Sequence, residues 1–353
     1  MPKFLKRIGT ALLFAVIALC LAPTLIPPFL DRIYHRGPVS DHFDGERFYN
    51  PGFRGDNHGG PANFASRWFS GGRAEWPKRV AVEPGKPARP GPGEMWATWI
   101  GHSTVLVQAG GLNILTDPIW SERASPFQWI GPQRARAPGI RFEDLPKIDL
   151  VLISHNHYDH MDLPTLKRLW QRDRPVIVTS LGNDTILRNE GVQSRALDWG
   201  GRVAARPGLE VTVLRNHHWG SRWARDRNRA LWSAFSVRTP TGAFFYAGDT
   251  GWGDGSWVRE AAGAGPYRLA IIPIGAYEPR DFMKTNHIDP EEAVRIHQAV
   301  RPALSLGVHW GTFQLTFEGI DDPPRRLQRE LRARWVPVER FVATEVGRPV
   351  RVP

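Results

Sequence analysis

The residues best suited to chemistry are concentrated in one short stretch, Ser154–His160, which follows the apolar run Leu150–Ile153. It contains three imidazoles and one carboxylate, the ligand types that bind zinc and similar divalent metals. Residues two apart point the same way in an extended turn, so the first two imidazoles are expected to share one ion. The carboxylate and the third imidazole would then face a second ion. We interpret the stretch as a metal-binding motif rather than a histidine-rich loop. The candidate ligands are His155, His157, Asp159 and His160.

Three further candidate ligands follow at the ends of later strand-like segments, where a packed scaffold presents side chains into a cleft. They are His218, Asp249 and His309. The complete set predicts one ion held by His155, His157 and His218, and a second held by Asp159, His160 and His309. Asp249 is expected to bridge the two ions, because a carboxylate has two oxygens. Each ion then keeps an open position, as catalytic metal sites require.

Composition limits the class of protein. A chain of 353 residues with 41% apolar and 23% charged residues is globular and forms one large domain or two ordinary ones. The formal net charge of +11 favours anionic partners such as phosphate groups or lipid surfaces. No nucleic-acid-binding motif accompanies that charge, so nucleic acid is not an expected partner. A single cysteine, Cys20, excludes intramolecular disulfides and thiolate zinc sites.

The N-terminus is informative about location. Lys3, Lys6 and Arg7 precede Ile8–Leu30, which carries no charge. This pattern is typical of a secretory signal or of an uncleaved membrane anchor, and we favour the anchor. An apolar helix that docks on the protein itself or on a partner is the remaining alternative. The basic end predicts a bacterial inner-membrane location, with the catalytic domain on the outer, periplasmic side.

The chain divides into three predicted segments. Residues 1–30 form the anchor or signal segment, and residues 31–93 form a Gly-, Pro- and Arg-rich extended region that wraps the domain. Residues 94–353 form the domain that carries every candidate ligand. Its two strand-rich halves, each followed by helices, predict two packed mixed sheets with helices outside. The clearest helix start is Asp289, with a proline next and two acids after it.

The motif and its surroundings resemble a known family. The sequence is similar to the metallo-β-lactamase superfamily, whose signature is His-x-His-x-Asp-His followed by later His, Asp and His. Within it, the chain is similar to the N-acylphosphatidylethanolamine-hydrolysing phospholipase D family. The resemblance implies an αββα sandwich, two zinc ions per chain and phosphodiester hydrolysis. The family-like stretches are Trp99–Val105, Leu115–Ile119, Leu152–Asp162, Phe245–Gly251, Ile272–Arg280, His287–His297 and His309–Phe313.

Residues beyond the ligands are interpreted more openly. His287, in a family-like stretch, is expected to donate a proton to the leaving oxygen or to bind the transition-state oxyanion. The alternative is a histidine at a helix start that is bonded to backbone. His217 stands where the resemblance leads us to expect glutamine, and we do not expect it to bind metal. His102 and Asp117 are left open between supporting the site and a local structural role. Arginines near 123–136 and 222–229 either attract anionic headgroups or form a solvated face.

The predicted function is a membrane-associated dinuclear zinc phosphodiesterase of phospholipase D type, with Asp249 and His287 catalytic. It would convert N-acylphosphatidylethanolamine-type phospholipids to phosphatidic acid and N-acylethanolamine. The expected partners are this phospholipid and an anionic membrane surface, and a homodimer is left open. One alternative is a hydrolase of a soluble phosphate ester or lactone, against which the apolar N-terminus argues. A metal-binding scaffold protein is the non-enzyme alternative.

Overall fold

The structure is a computed structural model that describes residues 3–25, 32–52, 66–67, 71–223 and 225–353. Side chains are not described for residues 3–5 and 21–25 of the first helix. Parts of the predicted segments 1–30 and 31–93 therefore lie outside the described residues. The three segment boundaries stay predictions.

Seven strands of the described chain form the first sheet. They are β1 Met95–Gly101, β2 Thr104–Ala109, β3 Leu112–Thr116, β4 Leu150–Ile153, β5 Val176–Ser180, β6 Arg195–Leu197 and β14 Pro349–Val352. Their order in the sheet is β14-β1-β2-β3-β4-β5-β6. Strands β1 to β3 are antiparallel, and a turn at Gly110–Gly111, both with positive φ, joins β2 to β3. Strands β3 to β6 are parallel.

The second sheet has the order β13-β12-β11-β10-β9-β8-β7. Strands β7 to β10 are antiparallel, whereas β10 to β13 are parallel, so each sheet is mixed. The strands are β7 Arg202–Arg206, β8 Leu209–Leu214, β9 Ala234–Thr239, β10 Gly242–Tyr246, β11 Leu269–Pro273, β12 Leu304–Val308 and β13 Phe341–Val342.

Helices from both halves of the chain pack against the two sheets, whereas the described side chains of the first helix are exposed. The described α-helices are α1 Lys3–Leu25, α2 Leu163–Asp173, α3 Asn183–Asn189, α4 Ser256–Gly263, α5 Arg280–Met283, α6 Pro290–Val300 and α7 Asp322–Ala333. Trp99 and Leu152 of the first sheet share one buried apolar cluster with Phe235 and Phe244 of the second. Leu166 of α2 belongs to a separate cluster on the other face of the first sheet. The predicted αββα fold is confirmed.

The strand directions determine where polar side chains meet. Parallel neighbours β3 and β4 end beside each other at Asp117 and Ser154, and β12 ends at His309. The carboxyl ends of parallel strands lie at the same sheet edge, which is where open α/β sheets bind ligands. The predicted ligands follow these ends, so packing of the two sheets brings them to one place.

The predicted location needs correction. Among the described residues, no helix is both long enough and apolar enough to cross a membrane. The prediction of an inner-membrane protein with a periplasmic catalytic domain is therefore wrong.

The start of α6 yields a stability prediction. Asp289 accepts a hydrogen bond from the backbone of Glu292 in a reciprocal capping box, and its second oxygen lies 2.7 Å from Arg326. Asp289→Ala should lower the free energy of unfolding by about 2 kcal/mol, the upper end for a lost N-cap. Urea unfolding measures this loss. The control Asp281→Ala, which removes an exposed ion pair with Arg67, should cost about 0.5 kcal/mol or less. Equal losses in the two variants would contradict the capping assignment.

Candidate metal centre

Three imidazoles form the first donor group, at the meeting point of the two sheets. His155 and His157 follow β4, and His218 follows β8 of the other sheet. One ligand atom from each lies within 4.8 Å of the others. His155 Nε2 and His157 Nδ1 are 2.8 Å apart. His218 donates from Nδ1 to the carbonyl of Asn286 at 2.9 Å, which leaves its Nε2 lone pair for a ligand.

The second donor group combines carboxylate and imidazole. It consists of His102, Asp159, His160 and His309, again with ligand atoms within 4.8 Å of one another. Asp159 Oδ2 accepts from His102 Nε2 at 2.8 Å, and it lies 3.3 Å from His160 Nε2 and 3.6 Å from His309 Nε2. This group is buried throughout.

Asp249 lies between the two groups. Its Oδ2 is 3.1 Å from His160 Nε2 and 3.0 Å from His309 Nε2, both in the second group. The same oxygen is 3.9 Å from His218 Nε2 in the first group. One carboxylate therefore contacts the donors of both groups, which is the position expected of a bridging ligand.

Unpaired polar atoms at this centre fit a bound metal. Among the described residues, several buried atoms lack a hydrogen-bond partner, and such burial is costly. They include Nε2 of His157 and His218, Oδ1 of Asp249 and Nδ1 of His287. Coordination of a cation would satisfy the atoms of His157, His218 and Asp249, and these nitrogen and oxygen donors match the preferences of zinc. The centre is therefore able to bind metal.

The pKa values of the imidazoles shift in both directions, and burial lowers that of His102 in the second group to about 3. Burial lowers the pKa of His157 and of His218 to about 3, so both present neutral lone pairs. Burial also acts to lower the pKa of His309, but Asp249 and Asp159 outweigh it and raise that pKa to about 9. The two carboxylates raise the pKa of His160 in the same way, again against burial. The field that favours a proton at the second group favours a metal cation there too.

Asp117 orients one of the candidate ligands through hydrogen bonds. Its fully buried carboxylate accepts from His160 Nδ1 at 2.6 Å, and from both the backbone and the hydroxyl of Ser154. A fourth donor is the hydroxyl of Tyr246, on β10 of the second sheet. The hydrogen bond to Nδ1 leaves His160 Nε2 to face the other ligands. Asp117 is thus a partner of an imidazole, one of the two roles that the sequence left open.

Backbone strain is concentrated at the same place. His102, Asp117 and His309 have φ values of 52°, 32° and 64°, in the left-handed region that non-glycine residues seldom adopt. The backbone N–H of His309 donates to the carbonyl of His102, which joins two of these turns. The fold therefore holds strained turns where three of the site's side chains are presented.

The segment that carries His287 is pressed against the loop after Asp249. A Cβ added at Gly251 would lie 2.0 Å from the carbonyl oxygen of Thr285, so only glycine permits this approach. Arg280 holds the segment from the other side by donating to the carbonyl of His287 at 2.6 Å. His287 Nδ1 consequently lies 3.9 Å from Asp249 Oδ2.

The structure brings all seven predicted ligands together, and His287 lies beside them. Their binding of metal stays a prediction. His217 lies outside the donor groups and places Nδ1 2.9 Å from the carbonyl of Thr285. His102, which the sequence left open, joins the second group. The signal in the sequence for His102 was its position in the Gly-His-Ser-Thr turn that follows β1. The supporting roles of Asn286 and Tyr246 had no signal in the sequence.

Two arginines of the segments 123–136 and 222–229 make hydrogen bonds inside the protein. Arg134 is buried and donates to the carbonyls of Ser121, Arg136 and Ile119. Arg222 donates to the carbonyl of Asn156, within the metal-binding motif, and to that of Met161, directly after it. These two side chains are therefore committed to internal contacts. Neither alternative in the sequence interpretation describes them.

Comparison with known proteins identifies the family. Residues 112–310 match the model of the beta-lactamase superfamily domain. The chain belongs to the beta-lactamase superfamily. It is 39% identical to N-acyl-phosphatidylethanolamine-hydrolyzing phospholipase D 1 of Caenorhabditis elegans over 251 residues. The alignment covers 68% of this chain and 70% of that protein. It is 33% identical to the mitochondrial enzyme of that description from Saccharomyces cerevisiae, covering 68% of this chain and 52% of that protein. The chain thus spans about half of the yeast relative.

Solved structures of other proteins share the fold. A metallo hydrolase from Ignicoccus hospitalis matches with a TM-score of 0.56 at 21% identity, covering 74% of this chain and 99% of that one. An isothiocyanate hydrolase from Delia radicum gut bacteria matches with a TM-score of 0.57 at 19% identity, covering 72% and 98%. At these identities the likeness concerns the fold alone. With the family established by sequence, the chain is a metallo-hydrolase whose histidine and aspartate cluster is able to bind metal.

Adjacent histidines provide a test of the ligand assignment. His218→Ala removes a donor that faces the first group and should reduce bound metal by about half or more. His217→Ala changes a side chain that faces Thr285 and should leave bound metal close to the unsubstituted level. Elemental analysis of the purified, folded variants measures both. Equal metal loss in the two variants would show that the wrong histidine of the pair was chosen.

Proposed function

We propose that this metallo-hydrolase is a dinuclear zinc phosphodiesterase that cleaves N-acylphosphatidylethanolamine-type phospholipids. The products are phosphatidic acid and N-acylethanolamine. The observation that carries the proposal is the contact of Asp249 with two donor groups, in a chain 39% identical to a phospholipase D of that specificity. Paired donor groups of this kind suit displacement at phosphorus, where charge develops on several oxygens at once.

The ligand assignment follows the two donor groups. His155, His157 and His218 would hold one zinc ion; Asp159, His160 and His309 would hold the other; and Asp249 would be shared. When bound, the metals supply Lewis acidity that activates water and neutralises charge on phosphate oxygens. His102 does not need to be a ligand. Its Nε2 donates to Asp159 Oδ2, and this bond orients the carboxylate.

His287 is the best candidate to act on the reacting phosphate. Burial lowers the pKa of its imidazole to about 3, so the ring is neutral at working pH. Its ring centroid lies 5.1 Å from that of His218 and 5.4 Å from that of His309, which places it beside both donor groups. A neutral ring N–H can donate a hydrogen bond to a phosphoryl oxygen as negative charge builds there. This role suits its environment better than proton donation by an imidazolium.

The proposed reaction is hydrolysis of the bond between phosphorus and the ethanolamide oxygen. A water oxygen attacks phosphorus, and the bond from phosphorus to the ethanolamide oxygen breaks. The leaving oxygen takes up a proton and departs as the alcohol of N-acylethanolamine, while the water oxygen remains on the phosphate. The positioned side chains contribute by holding water and phosphate in line, since positioning supplies much of the rate enhancement in phosphoryl transfer.

A soluble phosphate ester or lactone is the rival substrate. The sequence argument against it relied on a membrane address, and that location has proved wrong. Only the reaction products therefore distinguish a soluble substrate from a phospholipid.

Metal content tests the dinuclear part of the proposal. Elemental analysis of protein never exposed to chelator should give about two zinc ions per chain, as a bridged hydrolytic site requires. Asp249→Asn keeps the shape but removes the charge that both groups share, so it should lower metal content and reduce turnover at least a hundredfold. The exposed Asp281→Asn is the control and should retain both. One ion per chain, or an Asp249→Asn variant with full activity, would rule out a shared carboxylate.

Product analysis tests the substrate. Purified protein should release N-acylethanolamine and phosphatidic acid from detergent-dispersed N-acylphosphatidylethanolamine, as identified by mass spectrometry. In water enriched in ¹⁸O, the label should enter phosphatidic acid, because attack occurs at phosphorus. Label in the N-acylethanolamine would show attack at carbon instead. Metal-loaded protein that is inert toward phospholipids but hydrolyses soluble phosphate esters or lactones would favour the rival.

A further inference from the structure

Residues 32–52, here called the N-terminal arm, lie against the loop that follows His218. The backbone N–H of Phe48 donates to the carbonyl of Asn228 at 2.8 Å, and Arg47 donates to the carbonyl of Arg225 at 3.2 Å. Thr185 on α3 donates to the carbonyl of Tyr34 at 2.9 Å, which fixes the start of the arm on the hydrolase domain. The arm is thus attached at several points close to the metal centre.

Arg222, in the loop that the arm covers, secures the metal-binding motif. One guanidinium nitrogen, Nη1, donates to the carbonyl of Asn156 and to that of Met161, each at 2.9 Å. These two carbonyls lie before and after the ligands His157 and His160. The ring of Tyr158 lies 4.1 Å from the guanidinium carbon, and its hydroxyl donates back to the Arg222 carbonyl. The motif and Arg222 therefore interlock through three hydrogen bonds and a cation–π contact.

Asp226 connects Arg222 to the arm. Its fully buried carboxylate accepts from the backbone N–H groups of Arg222 and Trp223 and from the hydroxyl of Ser221. The hydroxyl of Tyr34 in the arm donates to the same carboxylate at 2.8 Å. Burial, with Asp226 next in effect, raises the pKa of Tyr34 well above its usual range, so this donor stays protonated. The loop conformation that presents Arg222 is thus held partly from the arm.

Asn50 makes a second and independent connection. Its side-chain amide donates to the carbonyl of the ligand His218 at 2.9 Å. Its amide oxygen accepts from Trp232 Nε1 at 3.1 Å, which fixes the orientation of the amide. The peptide of His218 is therefore held by the arm, while its ring is held by the carbonyl of Asn286.

We propose that the N-terminal arm is a working part of the metal centre, and that Tyr34 and Asn50 are positioning residues for its ligands. Tyr34 acts through Asp226 and Arg222 on the motif Ser154–His160, and Asn50 acts on His218. Neither side chain belongs to the ligand set. The proposal depends on the metal-binding part of the proposed function and is independent of the substrate.

The physical basis of the proposal is preorganisation. A metal ion binds more tightly when its ligands already occupy the bound geometry, because less conformational freedom is lost on binding. Loss of a group that orients a ligand typically weakens metal affinity about 10–100-fold. Two connections that act on different ligand segments should also contribute nearly additively.

The test compares zinc affinity of full-length variants in the absence of substrate. Tyr34→Phe removes one hydroxyl, and Asn50→Ala removes one amide. Each should weaken zinc binding about tenfold or more, and the double variant should lose close to the product of the two factors. The control is Tyr49→Phe, whose hydroxyl donates to the carbonyl of Ser40 within the arm, and it should bind zinc normally. Competition with a chromogenic chelator measures affinity, and thermal unfolding of the metal-free proteins measures stability.

A merely structural arm gives a different pattern. In that case the metal-free variants melt at lower temperature while zinc affinity stays within twofold of the unsubstituted protein, and the proposal is overturned. Arg222→Met is a stronger perturbation, but its folding is less assured, so Tyr34→Phe decides. Normal zinc binding by the unsubstituted protein, without phospholipid hydrolysis, would refute the proposed substrate and leave this inference intact. Undetectable zinc binding would overturn both.

Discussion

The buried carboxylate of Asp117 is the interaction on which the rest of the centre depends. It receives hydrogen bonds from Ser154 and His160 of the first sheet and from Tyr246 of the second. A buried anion is stable only when its oxygens are fully paired, and this one has donors from both layers. The requirement couples sheet packing to ligand orientation, because a shift of either sheet would leave a charge unpaired.

The centre is divided between the two sheets in the same way. The motif after β4 supplies four candidate ligands, whereas His218, Asp249 and His309 come from the ends of β8, β10 and β12. Their spacing is therefore set by the apolar packing between the sheets, to which Trp99 and Phe244 contribute. Side chains at the ends of rigid strands are positioned more precisely than side chains on mobile loops. The strained turns at these ends fix the directions in which the ligands point.

The sequence predicted which side chains meet at the centre and that the chain forms two sheets. His155 and His157 are two residues apart after an apolar run, and His218, Asp249 and His309 each follow a strand-like segment and complete the signature of the resembled superfamily. Contacts made by residues outside such a signature were not predictable in this way. Nothing local to Tyr34 or Asn50 indicates that they contact Asp226 or His218, which lie more than a hundred residues away in the chain. The membrane location failed because it was inferred from apolar composition, which does not distinguish among the environments of a helix.

The bond between His218 and residue 286 has a consequence for how this protein can evolve. The acceptor is a main-chain carbonyl, so it fixes the imidazole tautomer whatever side chain stands at position 286. Replacement of Asn286 therefore need not disturb the ring, whereas replacement of Asp117 would remove the acceptor that orients His160. Position 286 can thus change without loss of this hydrogen bond, whereas position 117 is constrained by the bond to His160. A comparison of natural variants would register Asp117 as essential and overlook position 286, although both orient a ligand.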